Sequence, residues 1–251
     1  MAGAAALAGM SALRGGAGLV RVAVPETVLD TIAGFEPSYV TVALPADAAG
    51  RITSGAFDRI AELAETATVV ACGPGLGRSF DLDQIVVRLY QEIAKPMVFD
   101  ADALNALAAE SEALARPGGP RIFTPHPGEF ARLIGRKLDG DARNQAAVEL
   151  AARCGIVVVL KGHHTLVTDG QRQALNATGN PGMATGGSGD VLTGLITALA
   201  CQGLDPLSAA RLGVHLHGLA GDLAAKKLGQ VSMIARDLID YLPAAFQEYA
   251  G

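Results

Sequence analysis

Cysteine, basic charge and long apolar runs are all scarce in this sequence of 251 residues. Its three cysteines, Cys72, Cys154 and Cys201, are widely spaced without a CxxC pair, so they indicate neither a disulfide framework nor a zinc site and fit a reducing cytoplasm. The 20 lysines and arginines are outnumbered by 25 aspartates and glutamates, and no basic run with interleaved aromatics occurs. This balance argues against a nucleic-acid partner. No stretch approaches roughly 18 uninterrupted apolar residues, so we expect a cytoplasmic protein with no transmembrane span.

Glycine and apolar residues are abundant instead. Hydrophobic residues make up 50% of the chain, and a chain of this length buries roughly three quarters of the surface that its unfolded form exposes. We therefore expect a single domain over residues 1–251 with a large core. The 31 glycines fall mostly in short clusters, which indicates tight turns and close approaches of the backbone to a ligand. The apolar start, Met1–Leu13, lacks a basic region, so we expect a helix of the fold there and no signal peptide.

Short β-branched runs alternate with stretches of helix length along most of the chain. The predicted strands are Leu19–Val24, Tyr39–Leu44, Thr68–Cys72, Met97–Asp100, Arg121–Thr124 and Ile156–Lys161. This alternation is typical of βαβ units, and strands that are apolar on both faces favour a parallel sheet covered by helices on each side. Two further runs, Thr165–Thr168 and Gln173–Asn176, are joined around Asp169-Gly170 and predict an antiparallel hairpin at the sheet edge.

The two ends of the chain differ from this pattern. After Asp190 the sequence becomes wholly helical, through Val191–Gln202, Pro206–Leu228 and Ala235–Tyr249. At its start a helix precedes the first strand, so the sheet lacks whatever strand should come before that helix. We predict an α/β fold with a mostly parallel central sheet flanked by helices on both faces and with its first strand missing.

Ligands in open α/β sheets bind beyond the carboxyl ends of the strands, so the residues that follow each strand are the candidates for a site. After the third predicted strand comes Gly73-Pro74-Gly75-Leu76-Gly77. Its glycines either let a ligand approach the backbone or only form a tight turn. The spacing does not match the dinucleotide fingerprint GxGxxG, and the phosphate-loop pattern GxxxxGKS/T occurs nowhere in the chain.

Acidic and amide side chains follow the fourth strand. Asp100, Asp102 and Asn105 stand at the strand end and in the first helical turn. Capping of the helix explains one of the aspartates, whereas a carboxylate pair at this edge can meet a Mg²⁺-bound phosphate or a hydroxyl-bearing substrate.

A histidine between two prolines follows the fifth strand, in the segment Thr124-Pro125-His126-Pro127-Gly128-Glu129. Its rigidity suits a ligand contact by His126. The alternative is a proline-stabilised helix start with Glu129 in the first turn.

A lysine and two histidines follow the most hydrophobic strand, in Lys161-Gly162-His163-His164-Thr165. A lysine at this edge can hold phosphate as a point charge. Neighbouring side chains of an extended segment point to opposite faces, so we expect no metal between His163 and His164. His215 and His217 also face different directions on their predicted helix, and we expect them in core or interface packing.

The strongest signal is the segment Asn180–Asp190, which we call the glycine loop and which directly precedes an apolar helix. Four glycines within eight of its residues let the backbone aim several N–H groups at one point. Together with the helix N-terminus, these amides predict an anion site that favours phosphate or a developing oxyanion. The predicted anion site consists of the N–H groups of Gly186, Gly187, Ser188 and Gly189. Asp190 then stands at the predicted N-cap, either as the cap alone or as a catalytic base.

These motifs resemble, in order and spacing, those of the ADP- or ATP-dependent NAD(P)H-hydrate dehydratases, a branch of the ribokinase-like superfamily. The resemblance covers essentially the whole chain, and Thr124–Glu129 combined with Asn180–Asp190 is its most specific part. It implies that the hydrated dinucleotide contacts Ala4, Gly75, His126 and Asp190, with Asp100 and Asn105 beside them. It likewise implies that the nucleotide contacts Lys161, Gly162, His163, His164, Thr165 and Gly189.

The resemblance also implies a reaction. The nucleotide phosphorylates the C6 hydroxyl of the hydrated nicotinamide ring, phosphate then leaves, and NADH or NADPH is restored, with Mg²⁺ as cofactor and either ADP or ATP as donor. Asp190 can accept the proton of the attacking hydroxyl, while the amides of Gly186–Gly189 stabilise charge on the transferred phosphoryl group. A small-molecule kinase acting on a hydroxymethylpyrimidine or thiazole alcohol is the nearest alternative, and a catalytically dead nucleotide-binding protein is another.

The start of the chain departs from the family pattern. Family members usually begin with a strand and a Gly-Gly-Ser-type loop ahead of the region that matches Met1–Ala4, so we expect either a start assigned too late or a shortened chain. The epimerase domain often fused upstream is also absent, which implies a separate epimerase. The family resemblance further suggests a homo-oligomer, a tetramer.

Overall fold

The computed structural model describes residues 1–250. Its strands are β1 (Arg21–Pro25), β2 (Val40–Leu44), β3 (Val70–Cys72), β4 (Met97–Phe99), β5 (Arg121–Phe123), β6 (Val157–Leu160), β7 (Leu166–Thr168) and β8 (Gln173–Leu175). Its helices are α1 (Ala2–Arg14), α2 (Leu29–Ala33), α3 (Phe57–Glu65), α4 (Phe80–Glu92), α5 (Ala101–Ala109), α6 (Pro127–Leu133), α7 (Gly140–Cys154), α8 (Ser188–Cys201), α9 (Pro206–Leu228) and α10 (Ala235–Ala250). Short 3₁₀ turns occupy Glu26–Val28, Ser54–Ala56, Ser111–Ala115, Pro181–Met183 and Gln230–Ser232.

The central sheet has the order β3-β4-β5-β6-β7-β8. Strands β3 to β6 are parallel, and β7 and β8 form an antiparallel hairpin at the edge. The mostly parallel central sheet and the edge hairpin are therefore confirmed.

The two earliest strands do not join this sheet. Among the described residues, β1 and β2 pair in parallel only with each other, from Arg21 and Val40 to Pro25 and Leu44. Only one face of β1 is buried, through Val22 and Val24, which pack with residues of α1 and α10. A strand with one solvated face does not meet the condition for the middle of a helix-covered parallel sheet.

Helices cover both faces of the central sheet. Because successive strand residues face opposite sides, Phe99 and Phe123 pack in one core with α4 to α7, while Val98 and Ile122 pack in another with α8 and α9. Tyr90 of α4 lies 5.6 Å and 5.8 Å from the two phenylalanine rings, measured between ring centroids. This double burial accounts for the continuous apolar character of β4, β5 and β6.

Helix α8 is buried on nearly all sides. Val191 packs with α1, β1 and α10, Ile196 packs against the sheet, and Leu195 packs with α9 and α10. The Ser11 hydroxyl of α1 donates to the Val191 carbonyl at 2.6 Å. The start of α8 is thereby fixed at the carboxyl ends of the parallel strands, where the residues after β4, β5 and β6 also lie.

No helix within residues 1–250 is both long and apolar enough to cross a membrane. The three cysteines are all free.

Candidate active site

The glycine loop runs into the first turn of α8, which begins at Ser188 with Gly187 as its N-cap residue. Gly187 has a φ of +92°, a left-handed conformation that glycine adopts without strain. The chain therefore enters the helix earlier than the predicted start at Val191. The prediction that Asp190 is the N-cap is wrong, because Asp190 lies inside the first helical turn, and its side chain is not needed for capping.

Backbone amides at the start of α8 are available to a ligand. Within residues 1–250, the N–H groups of Gly186, Gly187, Gly189 and Asp190 have no hydrogen-bond acceptor, whereas that of Ser188 donates to a loop carbonyl at 3.3 Å. Three of the four amides named for the predicted anion site are therefore free, and the amide of Asp190 is free as well. Unpaired amides at a helix N-terminus favour phosphate through direct hydrogen bonds and through the helix dipole.

The carboxylate of Asp190 is held in an environment that disfavours its charge. Burial, together with the negative charges of Asp100 and Asp102, raises the pKa of Asp190 from 3.8 to about 6, and the positive charge of Lys161 opposes this rise. A carboxylate with a pKa this close to neutrality is suited to accept a proton at physiological pH.

Lys161 is held beside the glycine loop by buried acidic groups. Its Nζ lies 2.7 Å from Oδ1 of Asp100, whose other oxygen accepts from the Thr193 hydroxyl at 2.8 Å. Glu129 Oε2 stands 4.0 Å from the same ammonium. A Cβ built at Gly189 would lie 3.0 Å from Lys161 Nζ. Both carboxylate oxygens of Asp100 accept hydrogen bonds from protein side chains, so Asp100 acts here by positioning Lys161.

His126 and Glu129 form a reciprocal cap at the start of α6. The His126 Nδ1 atom accepts from the N–H groups of Gly128 and Glu129, while Glu129 Oε2 accepts from the His126 N–H at 2.8 Å. The His126 Nε2 atom is 3.2 Å from Glu129 Oε1, and about half of the histidine side chain is exposed. Burial raises the pKa of Glu129, and Lys161 acts against this. The predicted helix start is therefore present, and it fixes a ring that still faces solvent.

The first turn of α1 forms another wall of the site. A Cβ built at Gly75 would lie 3.0 Å from the Cβ of Ala4, so the structure brings these two predicted substrate contacts together. The Asp102 carboxylate accepts from the Gly77 N–H at 2.8 Å. Asn105 accepts from Arg132 Nε at 2.7 Å, so Arg132 fixes its amide.

The segment after β6 is a turn and not an extended chain. His164 has a φ of +57°, and Thr165 Oγ1 donates to the Gly162 carbonyl at 3.1 Å. The rings of His163 and His164 consequently lie on the same side, 3.9 Å apart between centroids. The prediction that they point to opposite faces is wrong, because it assumed an extended backbone.

Two side chains of α9 anchor the glycine loop, and the sequence did not indicate either role. His217 is buried, and its Nε2 donates to the Ser188 carbonyl at 3.0 Å. Burial lowers the pKa of His217 to about 4, so the ring is neutral near physiological pH. Asp222 accepts from the Gly179 N–H and from Asn180 Nδ2. Because the partners are 29 or more residues apart, only the packing of α9 reveals these contacts.

A cleft of about 450 Å³ adjoins the turn after β6; we call it the hairpin cleft. Its lining comes from β7, β8, α9 and the end of α10, and includes Asn176, Arg211, His215 and Tyr249. The Asn176 N–H donates to the Thr165 carbonyl at 3.0 Å, which places the cleft directly beside the turn that carries the predicted nucleotide contacts.

Comparisons with known proteins agree with this geometry. A family profile described as NAD(P)H-hydrate dehydratase, of the carbohydrate-kinase group, matches residues 1–244. A bifunctional NAD(P)H-hydrate repair enzyme of Moorella thermoacetica is 46% identical over 97% of this chain and 46% of its own length. The corresponding enzyme of Escherichia coli is 39% identical over 96% of this chain and 44% of its own length. The chain therefore spans about half the length of these curated relatives.

Solved structures show the same likeness. The ADP/ATP-dependent NAD(P)H-hydrate dehydratase of Bacillus subtilis, co-crystallized with ATP and Mg²⁺, has a TM-score of 0.82 and 32% identity, covering 99% of this chain and 86% of that one. A hydroxyethylthiazole kinase of Pyrococcus horikoshii has a TM-score of 0.61 at 19% identity, covering 88% of this chain and 85% of that one. The second likeness shows a shared fold and nothing more.

Proposed function

This chain belongs to the NAD(P)H-hydrate dehydratase family, and from that membership we propose that it dehydrates the S form of hydrated NADH and NADPH with ADP or ATP as phosphate donor. The observation that carries the proposal is the glycine loop. A carboxylate whose pKa is raised to about 6, Asp190, stands beside free amides at the start of α8. The carboxylate can accept a proton and the amides can bind phosphate. Phosphoryl transfer to a hydroxyl needs both of these roles.

The reaction proceeds in two stages. The C6 hydroxyl oxygen attacks the terminal phosphorus of the nucleotide, its proton passes to Asp190, and the bond between that phosphorus and the bridging oxygen breaks, releasing ADP from ATP or AMP from ADP. Phosphate then leaves C6, and loss of a proton from the adjoining ring carbon restores the double bond of NADH or NADPH. The amides of Gly186, Gly187 and Gly189 stabilise the charge on the transferred group.

The two ligands approach the loop from different sides. Lys161 and Gly189 face the nucleotide phosphates, and the turn of His163 and His164 leads to the hairpin cleft, whose size and aromatic lining suit the nucleoside. The hydrated nicotinamide lies against the wall formed by Ala4, Gly75 and His126. The contacts of the turn with Asn176 support this division.

Mg²⁺ is proposed as the metal that accompanies the nucleotide. No group of three or more His, Cys, Asp or Glu side chains within residues 1–250 could hold a metal by itself. This fits a cation that binds mainly through phosphates and water, with one or two carboxylates nearby, because Mg²⁺ in nucleotide sites is held in that way. Asp102, which follows β4 at the same edge of the sheet, is the carboxylate that would face it. The metal would neutralise charge on the phosphates during transfer.

Assembly, supply of substrate and location complete the proposal. An enzyme selective for the S form depends on an epimerase activity to convert the other form, and the curated relatives are named as bifunctional repair enzymes. The proposed homo-oligomer, a tetramer, follows from the family resemblance, and exposed large apolar side chains such as Val231 and Ile234 offer surface for contacts between subunits. The free cysteines fit a cytoplasmic location.

Incubation of the purified chain with hydrated NADH or NADPH, Mg²⁺ and either ADP or ATP tests the proposal. We expect the near-ultraviolet absorbance of reduced nicotinamide to return with at least one donor, which also identifies that donor. If absorbance does not return with either donor while a hydroxymethylpyrimidine or thiazole alcohol becomes phosphorylated, the chain is a small-molecule kinase. If nucleotide binds and neither reaction occurs, the chain is a catalytically inactive binding protein.

A further inference from the structure

A second cleft, of about 400 Å³, lies among α5, α6 and α7, and the proposed reaction does not use it. Three guanidinium side chains line it, those of Arg132, Arg136 and Arg153, together with the hydroxyl of Ser111. We call it the arginine cleft. Apolar residues including Leu150 complete its lining. The cleft therefore combines concentrated positive charge with an apolar surface.

The three arginines have no acidic partner within 4.0 Å among residues 1–250, and of the twelve other arginines six form ion pairs with carboxylates. The Nε–H of Arg132 donates a hydrogen bond to the side-chain oxygen of Asn105. Glu149 also lines the cleft, and one of its oxygens accepts from Gln145 at 3.2 Å. In a chain with a formal net charge of −5, this local excess of cations requires an explanation.

Helix dipoles account for part of this arrangement. Arg132 and Arg153 lie in the last turns of α6 and α7, where a positive charge is favourable. Arg136 lies beyond α6 and lines the cleft as well. The dipoles therefore do not explain the whole set.

We propose that the arginine cleft binds a phosphate ester. The planar guanidinium group forms paired, charge-assisted hydrogen bonds with phosphate oxygens, and the apolar lining can receive the organic part of the ligand. Two sources supply this chemistry. One is the phosphate-bearing far half of the hydrated dinucleotide, which would pass the contact between Asn105 and Arg132. The other is a separate phosphorylated metabolite.

Calorimetric titration of the full chain with inorganic pyrophosphate tests the site. The double variant Arg136→Ser, Arg153→Ser removes two cleft cations, and Arg116→Ser, Lys226→Ser removes two exposed cations elsewhere as a charge-matched control. We expect the wild type to show a glycine-loop site and a cleft site. In the cleft variant, binding at the cleft weakens at least about tenfold, while the control binds as the wild type does.

The proposal is overturned if the cleft variant binds pyrophosphate with the same stoichiometry and affinity as the wild type. Thermal melting checks that the variant folds, and Arg136→Lys, Arg153→Lys provides a second test if it does not. Lysine keeps the charge without the paired geometry, so we expect the lysine variant to bind pyrophosphate at the cleft more weakly than the wild type does. Equal binding by the lysine variant and the wild type contradicts recognition by guanidinium groups.

Steady-state kinetics of the serine variant separates the two sources, and this arm alone rests on the proposed function. If KM for hydrated NADH or NADPH rises several-fold, the cleft receives a phosphate of the substrate. A larger rise for hydrated NADPH assigns its additional phosphate to the cleft. If both KM values are unchanged while pyrophosphate binding at the cleft is lost, the ligand is a separate phosphate ester. An inactive wild type defeats the proposed function and leaves the calorimetric result standing.

Discussion

At the scale of single residues, the environment of Asp190 gives its carboxylate a pKa that suits the proposed role of a base near neutral pH. Burial and two neighbouring carboxylates raise its pKa to about 6. The proton acceptor must be ionised, so we expect kcat/KM to rise about tenfold per pH unit below about 6 and to level off above it. Initial rates across this range check the prediction. A profile that stays flat through pH 6 would show that another group accepts the proton.

Because its pKa is raised, the ionised carboxylate of Asp190 is expected to lower the free energy of unfolding. Its folded pKa lies above the ordinary 3.8, so its contribution to stability is present at low pH and is lost as pH rises through about 6. An asparagine side chain at this position cannot ionise and avoids this loss. We expect Asp190→Asn to increase the free energy of unfolding by about 1–2 kcal/mol near pH 8, after allowance for partial exposure, with no increase near pH 4. Urea unfolding at the two pH values measures the difference.

The catalytic effect of Asp190→Asn is expected in the opposite direction. Loss of the base should lower kcat by about 10²–10⁴-fold while nucleotide binding is retained. A variant that is less stable than the wild type near pH 8, or that keeps its rate, contradicts the assignment of Asp190.

Lys161 has a structural role as well as its proposed contact with phosphate. Substitution Lys161→Met leaves the buried carboxylates of Asp100 and Glu129 without their cation, and we expect a loss of about 3–5 kcal/mol in the free energy of unfolding. Adding Asp100→Asn should recover part of the stability without recovering activity. Denaturant unfolding of the single and double variants checks this coupling. Additive losses would show that the two residues act independently.

At the scale of elements, α9 sets the shape of the glycine loop through His217. We expect His217→Phe to lower kcat about tenfold, because the Ser188 carbonyl loses its donor and the amides at the start of α8 move. His217→Gln can present an N–H to the same carbonyl and should retain most of the rate. Since the pKa of His217 is lowered to about 4, the glutamine variant should keep the pH profile of the wild type. Equal loss in both variants would mean that packing matters and the hydrogen bond does not.

The elements themselves could largely be predicted from sequence, because each depends on local periodicity. Strands β4, β5 and β6 and helix α9 follow directly from apolar runs and capping residues. Two predictions failed where the local backbone was unknown. The φ of +57° at His164 brings two histidines together, and the φ of +92° at Gly187 starts α8 early. Neither angle can be read from residue type alone.

The contacts between the site residues were harder to predict from the sequence than the positions of those residues in the fold. The sequence placed Lys161, Asp100 and Asp190 at one edge of the sheet because the carboxyl ends of parallel strands meet there. The sequence did not indicate that the Thr193 hydroxyl would hold Asp100 or that Glu129 would lie beside Lys161. Such pairings depend on how α8 and α6 pack, which is a property of the tertiary structure.

At the scale of the whole molecule, α8 connects the cores. Its residues pack with the small sheet, the central sheet and the last two helices, so we expect one cooperative thermal transition. Ile196→Ala should cost about 2–5 kcal/mol and lower Tm by roughly 4–20 °C without splitting the transition. The exposed Glu65→Ala serves as control, with a change within about 0.5 kcal/mol. Two separate calorimetric transitions would show that the sheets unfold independently.

The central claim is that, at the glycine loop, the nucleotide phosphorylates the C6 hydroxyl of the substrate before that oxygen leaves the ring. Hydrated NADH carrying heavy oxygen in its C6 hydroxyl tests this claim most directly, by mass analysis of the inorganic phosphate formed with ADP or ATP. The account predicts that the heavy oxygen appears in the phosphate. Heavy oxygen found in water, with unlabelled phosphate, would contradict it.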